Sequence, residues 1–165
     1  MGTSNSYGLI ALLIILLLLL ILYGTGRKSV YDEIIIKASR QKVWEVLTET
    51  KSYPEWNPTM LVLEGELILG NKIKYQFTQY AENKSEIQAK VVKIEPNKLL
   101  NQKGGITGIL TYNHTYTLRP EGQGTKVIIH EVYKGIGVNF WDSKPVEEAY
   151  AKLNEALKQR VESLN

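Results

Sequence analysis

The sequence predicts an α+β fold in which a bent antiparallel sheet curls around one long carboxy-terminal helix, preceded by a single membrane-spanning helix. Three observations predict it. Val146, Tyr150, Leu153, Leu157, Val161 and Leu164 recur at three-and-four spacing, which is the apolar stripe of an amphipathic helix. Most of the chain between residues 30 and 133 reads as strands separated by Gly, Pro and Asn turn signals. Residues 9–22 form an unbroken run of Leu, Ile and Ala.

The apolar run extends to Tyr7 and Tyr23, which gives roughly 25 Å of helix at about 1.5 Å per residue, just enough to cross a bilayer. Both tyrosines stand where an interfacial aromatic belt belongs. A cleaved signal peptide is the competing reading, because Gly24, Thr25 and Gly26 are small. Such peptides open with a basic region, however, and no charged side chain precedes Arg27. An uncleaved anchor is therefore expected over residues 1–26, with one soluble domain over residues 27–165. Arg27 and Lys28 follow the span directly, so the positive-inside rule puts that domain in the cytoplasm at the cell membrane.

Composition narrows the function. A chain of 165 residues, 44% hydrophobic and 22% charged, supports one ordinary domain with its own core. Its 20 basic and 17 acidic residues are interspersed to a formal net charge of +3, without the basic stripe that tracks phosphates, so nucleic acid is not an expected partner. The absence of cysteine removes disulfides, thiol nucleophiles and thiolate metal sites. His114 and His130 are the only imidazoles and offer no close-spaced ligand set, so neither a metal nor a cofactor is expected.

In chain order, residues 30–37 carry Ile34, Ile35 and Ile36 and read as a strand. Ser39 is placed to cap a helix from Arg40 that buries Val43, Val46 and Leu47. Residues 52–58 hold two prolines and two large rings, Tyr53 and Trp56, and read as a short turn of helix packed on the first one. Residues 60–66 and 72–79 flank Gly70 and Asn71, and in the second of these Ile73, Tyr75 and Phe77 alternate with Lys72, Lys74 and Gln76. Residues 85–95 and 99–103 continue the strands, and Gly104, Gly105 and Gly108 read as a loop. Residues 112–118 and 126–133 form the final hairpin, after which Gly135 and Gly137 release the chain toward the last helix.

The run Lys42, Val43, Trp44, Glu45, Val46, Leu47 followed by Tyr53, Pro54, Glu55, Trp56, Asn57, Pro58 resembles the opening of the START and pollen-allergen superfamily, also called SRPBCC or polyketide cyclase/dehydrase-like. Later features agree in order: the Gly70 hairpin, Ile94-Glu95-Pro96 before Leu99 and Leu100, Leu118-Arg119-Pro120 leading to Gly124-Thr125-Lys126, and the long last helix. The resemblance covers residues 30–164. It implies a helix-grip fold, with a seven-stranded antiparallel sheet, two short helices between the first two strands, and the final helix across the concave face. It is specific for fold and poor for activity.

A hollow between sheet and helix is where chemistry would sit. If residues 121–124 make the last hairpin's loop, Pro120 pairs with Thr125, Leu118 with Val127, Tyr116 with Ile129, and His114 with Glu131. One face of the hairpin is then apolar apart from a single polar pair. A histidine beside a carboxylate, with Tyr112, Tyr116 and Tyr133 nearby, is either a hydrogen-bonded structural pair or a general base and head-group anchor. His114 and Glu131 are the catalytic candidates. The expected pocket comprises Tyr75, Phe77, Tyr112, His114, Tyr116, Ile129, Glu131, Tyr133, Tyr150, Leu153 and Leu157. Three function classes follow. The favoured one is a membrane-tethered binder or carrier of a small hydrophobic molecule of the lipid, quinone or isoprenoid class. The others are a cyclase or dehydratase acting on a polyketide-like substrate, and a ligand-free scaffold.

Overall fold

A computed structural model describes residues 3–80 and 83–164. Met1, Gly2 and Asn165, at the outer ends of the two expected segments, lie outside the described residues. The first element, α1 (Thr3–Thr25), contains a stretch from Tyr7 to Thr25 with mean hydropathy 2.8 that is long and apolar enough to cross a membrane. Its leucines and isoleucines face outward, unburied by the rest of the chain.

Strand β1 (Arg27–Ile36) starts at once, with Gly26 as the only joint. The sequence pattern starts this strand at residue 30; it begins three residues earlier because Arg27, Lys28 and Ser29 pair with Lys134, Tyr133 and Val132. Ser39 caps α2 (Arg40–Thr48) as expected, its side chain accepting from the Lys42 amide at 3.2 Å. Val43, Val46 and Leu47 are the buried face of α2. The short α3 (Tyr53–Trp56) is held by its own tyrosine, whose hydroxyl donates to the Leu47 carbonyl at 2.6 Å.

The remaining strands are β2 (Met60–Glu64), β3 (Lys72–Tyr80), β4 (Asn83–Glu95), β5 (Leu99–Ile106), β6 (Leu110–Glu121) and β7 (Gly124–Lys134). They form one antiparallel sheet in the order β1-β7-β6-β5-β4-β3-β2, so α2 and α3 carry the chain from one edge to the other. Register shifts between Val62 and Glu64 and between Val91 and Lys93 mark bulges, which bend and twist a sheet.

The expected glycine loop is largely strand. Gly104 and Gly105 pair with Tyr112 and Thr111, and only residues 107–109 turn. These glycines serve close approach: a Cβ on Gly104 would fall 2.3 Å from the Gln88 carbonyl oxygen and 2.3 Å from the Tyr112 hydroxyl, and Gly105 has φ +92°.

Helix α4 (Lys144–Ser163) crosses the concave face and buries Val146, Ala149, Tyr150, Leu153, Asn154, Leu157 and Val161. This is the predicted stripe with Ala149 and the polar Asn154 added and Leu164 lost, since Leu164 lies past the last turn as the C-cap and is 47% exposed. Asn154 donates to Asp32 of β1 at 2.5 Å, tying the helix to the edge strand it packs against. Each fully covered Leu or Val in the stripe contributes about 1.5–3 kcal/mol by leaving water, which makes α4 the clamp on the sheet's inner face.

Candidate functional site

Inward-facing side chains alternate with outward ones along each strand, so the site follows from register. The β6–β7 pairing is Pro120 with Thr125, Leu118 with Val127, Tyr116 with Ile129 and His114 with Glu131, as the hairpin arithmetic requires. Tyr112 lies opposite Tyr133 one step further on. The same inner face receives Gln102 from β5, Tyr75 and Phe77 from β3, and Tyr150 from α4.

At the centre stands Glu131, buried and surrounded by donors. The Tyr133 hydroxyl donates to its Oε2 at 2.5 Å, and the Tyr150 hydroxyl donates to the same oxygen. His114 Nδ1 lies 3.1 Å from the Tyr150 hydroxyl oxygen but 3.7 Å from Glu131 Oε2. The histidine therefore reaches the carboxylate as a neighbouring charge site and through Tyr150, because 3.7 Å is too long for a direct hydrogen bond. Tyr150 has a single proton and gives it to Glu131, so its bond with the imidazole is accepted from Nδ1–H. That assigns the proton to Nδ1. Nε2 is buried and has no hydrogen-bond partner among the described residues.

Burial pushes the Glu131 carboxyl up, but the neighbouring His114 imidazole and the hydrogen bonds donated by the Tyr133 and Tyr150 hydroxyls outweigh it and hold the group below the usual carboxylate range. The tyrosines move the opposite way. Burial, followed by the Glu131 charge, raises Tyr150 and Tyr133 well above an ordinary phenol, and burial pushes Tyr75 up to about 12 against a bond from Gln102. These phenols are proton donors at neutral pH. The Gln102 amide donates to the Tyr75 hydroxyl at 2.6 Å, and the Tyr112 hydroxyl donates to the Gln88 carbonyl at 2.8 Å.

Two spaces adjoin this cluster. A cleft of about 540 Å³ lies between β3, β4, the β5–β6 hairpin, β7 and the start of α4, with Glu131, Tyr133 and Tyr150 at its polar end. A small inner void of about 10 Å³ is bounded by Tyr75, Gln102, Tyr112, His114, Glu131 and Tyr150. Of the residues expected to line a pocket, Phe77, Tyr112, Glu131, Tyr133 and Tyr150 border the cleft, and Tyr75 and His114 border the inner void. Tyr116, Ile129, Leu153 and Leu157 are buried core side chains that border neither.

Sequence reasoning missed several cleft residues. Ile87, Ile106, Ile109, Leu110, Val146 and Trp141 supply much of its apolar wall, and Trp141 packs on Tyr133 with ring centroids 4.4 Å apart. Gln102 was detectable, since it follows Leu100 at the two-residue period of a strand's inner face. Trp141 carried no periodic signal, because it lies in the irregular segment between β7 and α4. Among the described residues no group of three or more His, Asp or Glu side chains is placed to hold a metal ion.

A seven-stranded antiparallel sheet gripping a long helix over a cleft defines the helix-grip fold. The chain belongs to the family described as polyketide cyclase/dehydrase and lipid transport, whose model matches residues 27–162. Solved structures share the fold at low identity. Ara h 8.0201 is 14% identical with a TM-score of 0.65, over 83% of this chain and 99% of that one. TTHA0849 from Thermus thermophilus is 17% identical with a TM-score of 0.65, over 84% and 99%. The Zhui aromatase/cyclase from Streptomyces sp. R1128 is 14% identical with a TM-score of 0.66, over 82% and 94%. No curated protein sequence matches the chain.

Proposed function

We propose that this protein is a membrane-anchored binder or carrier of a small hydrophobic molecule of the lipid, quinone or isoprenoid class. The observation that carries this reading is the cleft itself. Its wall is mainly apolar and aromatic, it ends on a few convergent polar groups, and its volume falls within the roughly 300–1,000 Å³ typical of small-molecule sites. The apolar body of the ligand lies along Ile87, Leu110 and Trp141, and a polar head faces Tyr133, Tyr150 and Glu131. Helix α1 supplies the anchor, and Arg27 and Lys28 behind it favour a cytoplasmic domain.

The cyclase or dehydratase reading draws on the proton-bearing chain from His114 through Tyr150 to Glu131. The protonation states weigh against it. A carboxylate held below its usual range and already accepting from two phenols is a weak base, and phenols raised this far do not ionise to act as one.

Native mass spectrometry of the full chain in detergent, followed by lipid extraction, tests the proposal. A stoichiometric apolar molecule released on unfolding is the expected result. A ligand-free protein that also fails to bind an environment-sensitive hydrophobic dye would leave only the scaffold reading.

A further inference from the structure

We infer that the domain does not swing freely on its anchor but lies against an anionic bilayer through one end of the sheet, so that the cleft opens onto the lipid. The inference rests on the reading of α1 as a membrane anchor and adds a docking surface to it.

The joint between α1 and the domain is short and bonded. The Gly135 amide donates to the Gly26 carbonyl at 2.9 Å, and the Asn139 side-chain amide donates to the Leu22 carbonyl at 2.7 Å. Thr25 Oγ1 lies 3.0 Å from Asn139 Oδ1. A Cβ on Gly26 would sit 2.0 Å from the Gly135 carbonyl oxygen, so the two backbones touch. The 135–140 segment is fastened in turn to the β5–β6 turn, with the Ile136 amide on the Gly108 carbonyl at 3.0 Å and the Gly137 amide on the Ile109 carbonyl at 2.8 Å. The end of the helix, the exit from β7 and the β5–β6 turn thus form one bonded unit. The glycines here permit close approach rather than a hinge.

What this unit exposes suits a bilayer surface. Phe140, Ile106 and Ile109 are 78%, 65% and 58% exposed, which is costly for large apolar side chains facing water beside the point where an apolar helix leaves the domain. Ile106 and Ile109 also border the cleft, so its apolar rim is the part nearest the lipid.

The opposite face of the same sheet end is basic. Arg27 pairs with Lys134 and Lys134 with Thr111, while Lys103 pairs with Asn113, so all three cations share the outer face. They line a cleft of about 510 Å³ together with Thr107, Thr111 and Asn113. Among the described residues none of the three is in an ion pair with a carboxylate, whereas Lys74, Lys93, Lys98, Lys126 and Arg160 each are. Lys103 stands roughly 10 Å along β5 from Ile106, at about 3.3 Å per residue, within reach of the head-group layer once the turn is immersed. Apolar rim and cationic cleft together match a bilayer containing anionic lipid.

The chain lacks cysteine, so a single label reports position cleanly. The full chain carrying Ile109→Cys, with a bimane label, is placed in nanodiscs of phosphatidylcholine with phosphatidylglycerol that contain nitroxide-labelled lipid. Leu69→Cys is the control; it is 63% exposed in the β2–β3 connection, at the far end of the sheet. The expected result is several-fold stronger quenching at position 109 than at 69, reduced when phosphatidylglycerol is omitted or when Lys103→Glu and Lys134→Glu are combined. Equal quenching at the two positions, in protein that stays with the lipid through alkaline carbonate, would overturn the docking inference and leave the anchor standing. Release by carbonate would overturn the anchor reading, and the docking inference with it.

Discussion

The hydroxyl of Tyr150, on the helix that grips the sheet, donates to the carboxylate of Glu131 on the last strand. That bond joins the clamp to the site, because Tyr150 belongs both to the buried stripe of α4 and to the polar end of the cleft. Tyr150→Phe keeps the ring and its packing against His114, whose centroid is 5.2 Å away, and removes only the hydroxyl. The expected cost is about 1.5–3 kcal/mol of stability, as for a hydrogen bond to a charged group. Chemical denaturation of the two proteins measures it. An unchanged midpoint would show that Glu131 is satisfied without the helix.

Acid should expose Glu131 as a stabilising charge. Its folded carboxyl is held below the ordinary range, so the native state favours the deprotonated form. Stability from this group is present in full above the unfolded carboxylate value of about 4.3 and is lost as pH falls through the lower folded value. Glu95 acts in the same direction, lowered to about 2 by Lys93 and Lys98, but its carboxylate is only half-buried at the surface and its ion pairs are screened by salt. The acid loss measured by thermal melts should therefore persist in high salt in the parent and shrink in Glu131→Gln. An identical salt-independent acid limb in both proteins would contradict this assignment.

Most of the fold was legible because it rests on periodicity. The stripe from Val146 to Val161, the alternation of Ile73, Tyr75 and Phe77, and the Ser39 cap each report a local rule that the structure obeys. The β6–β7 register was legible for the same reason, since the turn fixes which residues face each other. What escaped was non-local. Nothing in Gly104-Gly105 announces that Tyr112 will lie where a side chain should be, so a strand looked like a loop. Periodicity identifies the face a residue joins but not how full the space beyond it is. Ile129 and Phe77 both point inward, and only Phe77 borders the cleft.

That difference predicts opposite outcomes for two bulky substitutions. Leu110→Trp adds volume at the cleft wall and should abolish binding of a hydrophobic dye with little change in melting temperature. Ile129→Trp forces the same ring into a fully buried position and should cost about 1–3 kcal/mol from overpacking. Dye titration and melting of both variants check the pair. Loss of stability in Leu110→Trp matching that in Ile129→Trp would mean the cleft closes in solution.

The close approach at Gly104 makes a sharper test of the sheet. Gly104→Ala places a methyl group against the backbone carbonyl of Gln88 and the phenol of Tyr112. The phenol can swing away, but it then gives up its bond to that carbonyl. The expected penalty is about 1–3 kcal/mol, again from overpacking, with a shift in the dye-binding constant because Tyr112 borders the cleft. A variant as stable as the parent would show that the sheet yields at this point.

Removing residues 1–26 should leave a folded domain, since α1 contributes no strand and β1 begins at Arg27. The truncation is not silent. It deletes the Gly26 and Leu22 carbonyls that accept from the Gly135 amide and the Asn139 side chain, two neutral bonds worth together about 1–3 kcal/mol. The loss is local to residues 135–140, so the truncated protein should melt cooperatively while amides in that segment exchange faster than in the full chain in detergent. Gly26→Ala in the full chain should reproduce part of the same change, because its methyl group meets the Gly135 carbonyl. Aggregation or a non-cooperative melt of the truncated protein would place the domain boundary inside α1. Unchanged exchange at 135–140 would mean that the helix end and the exit loop are not joined in solution.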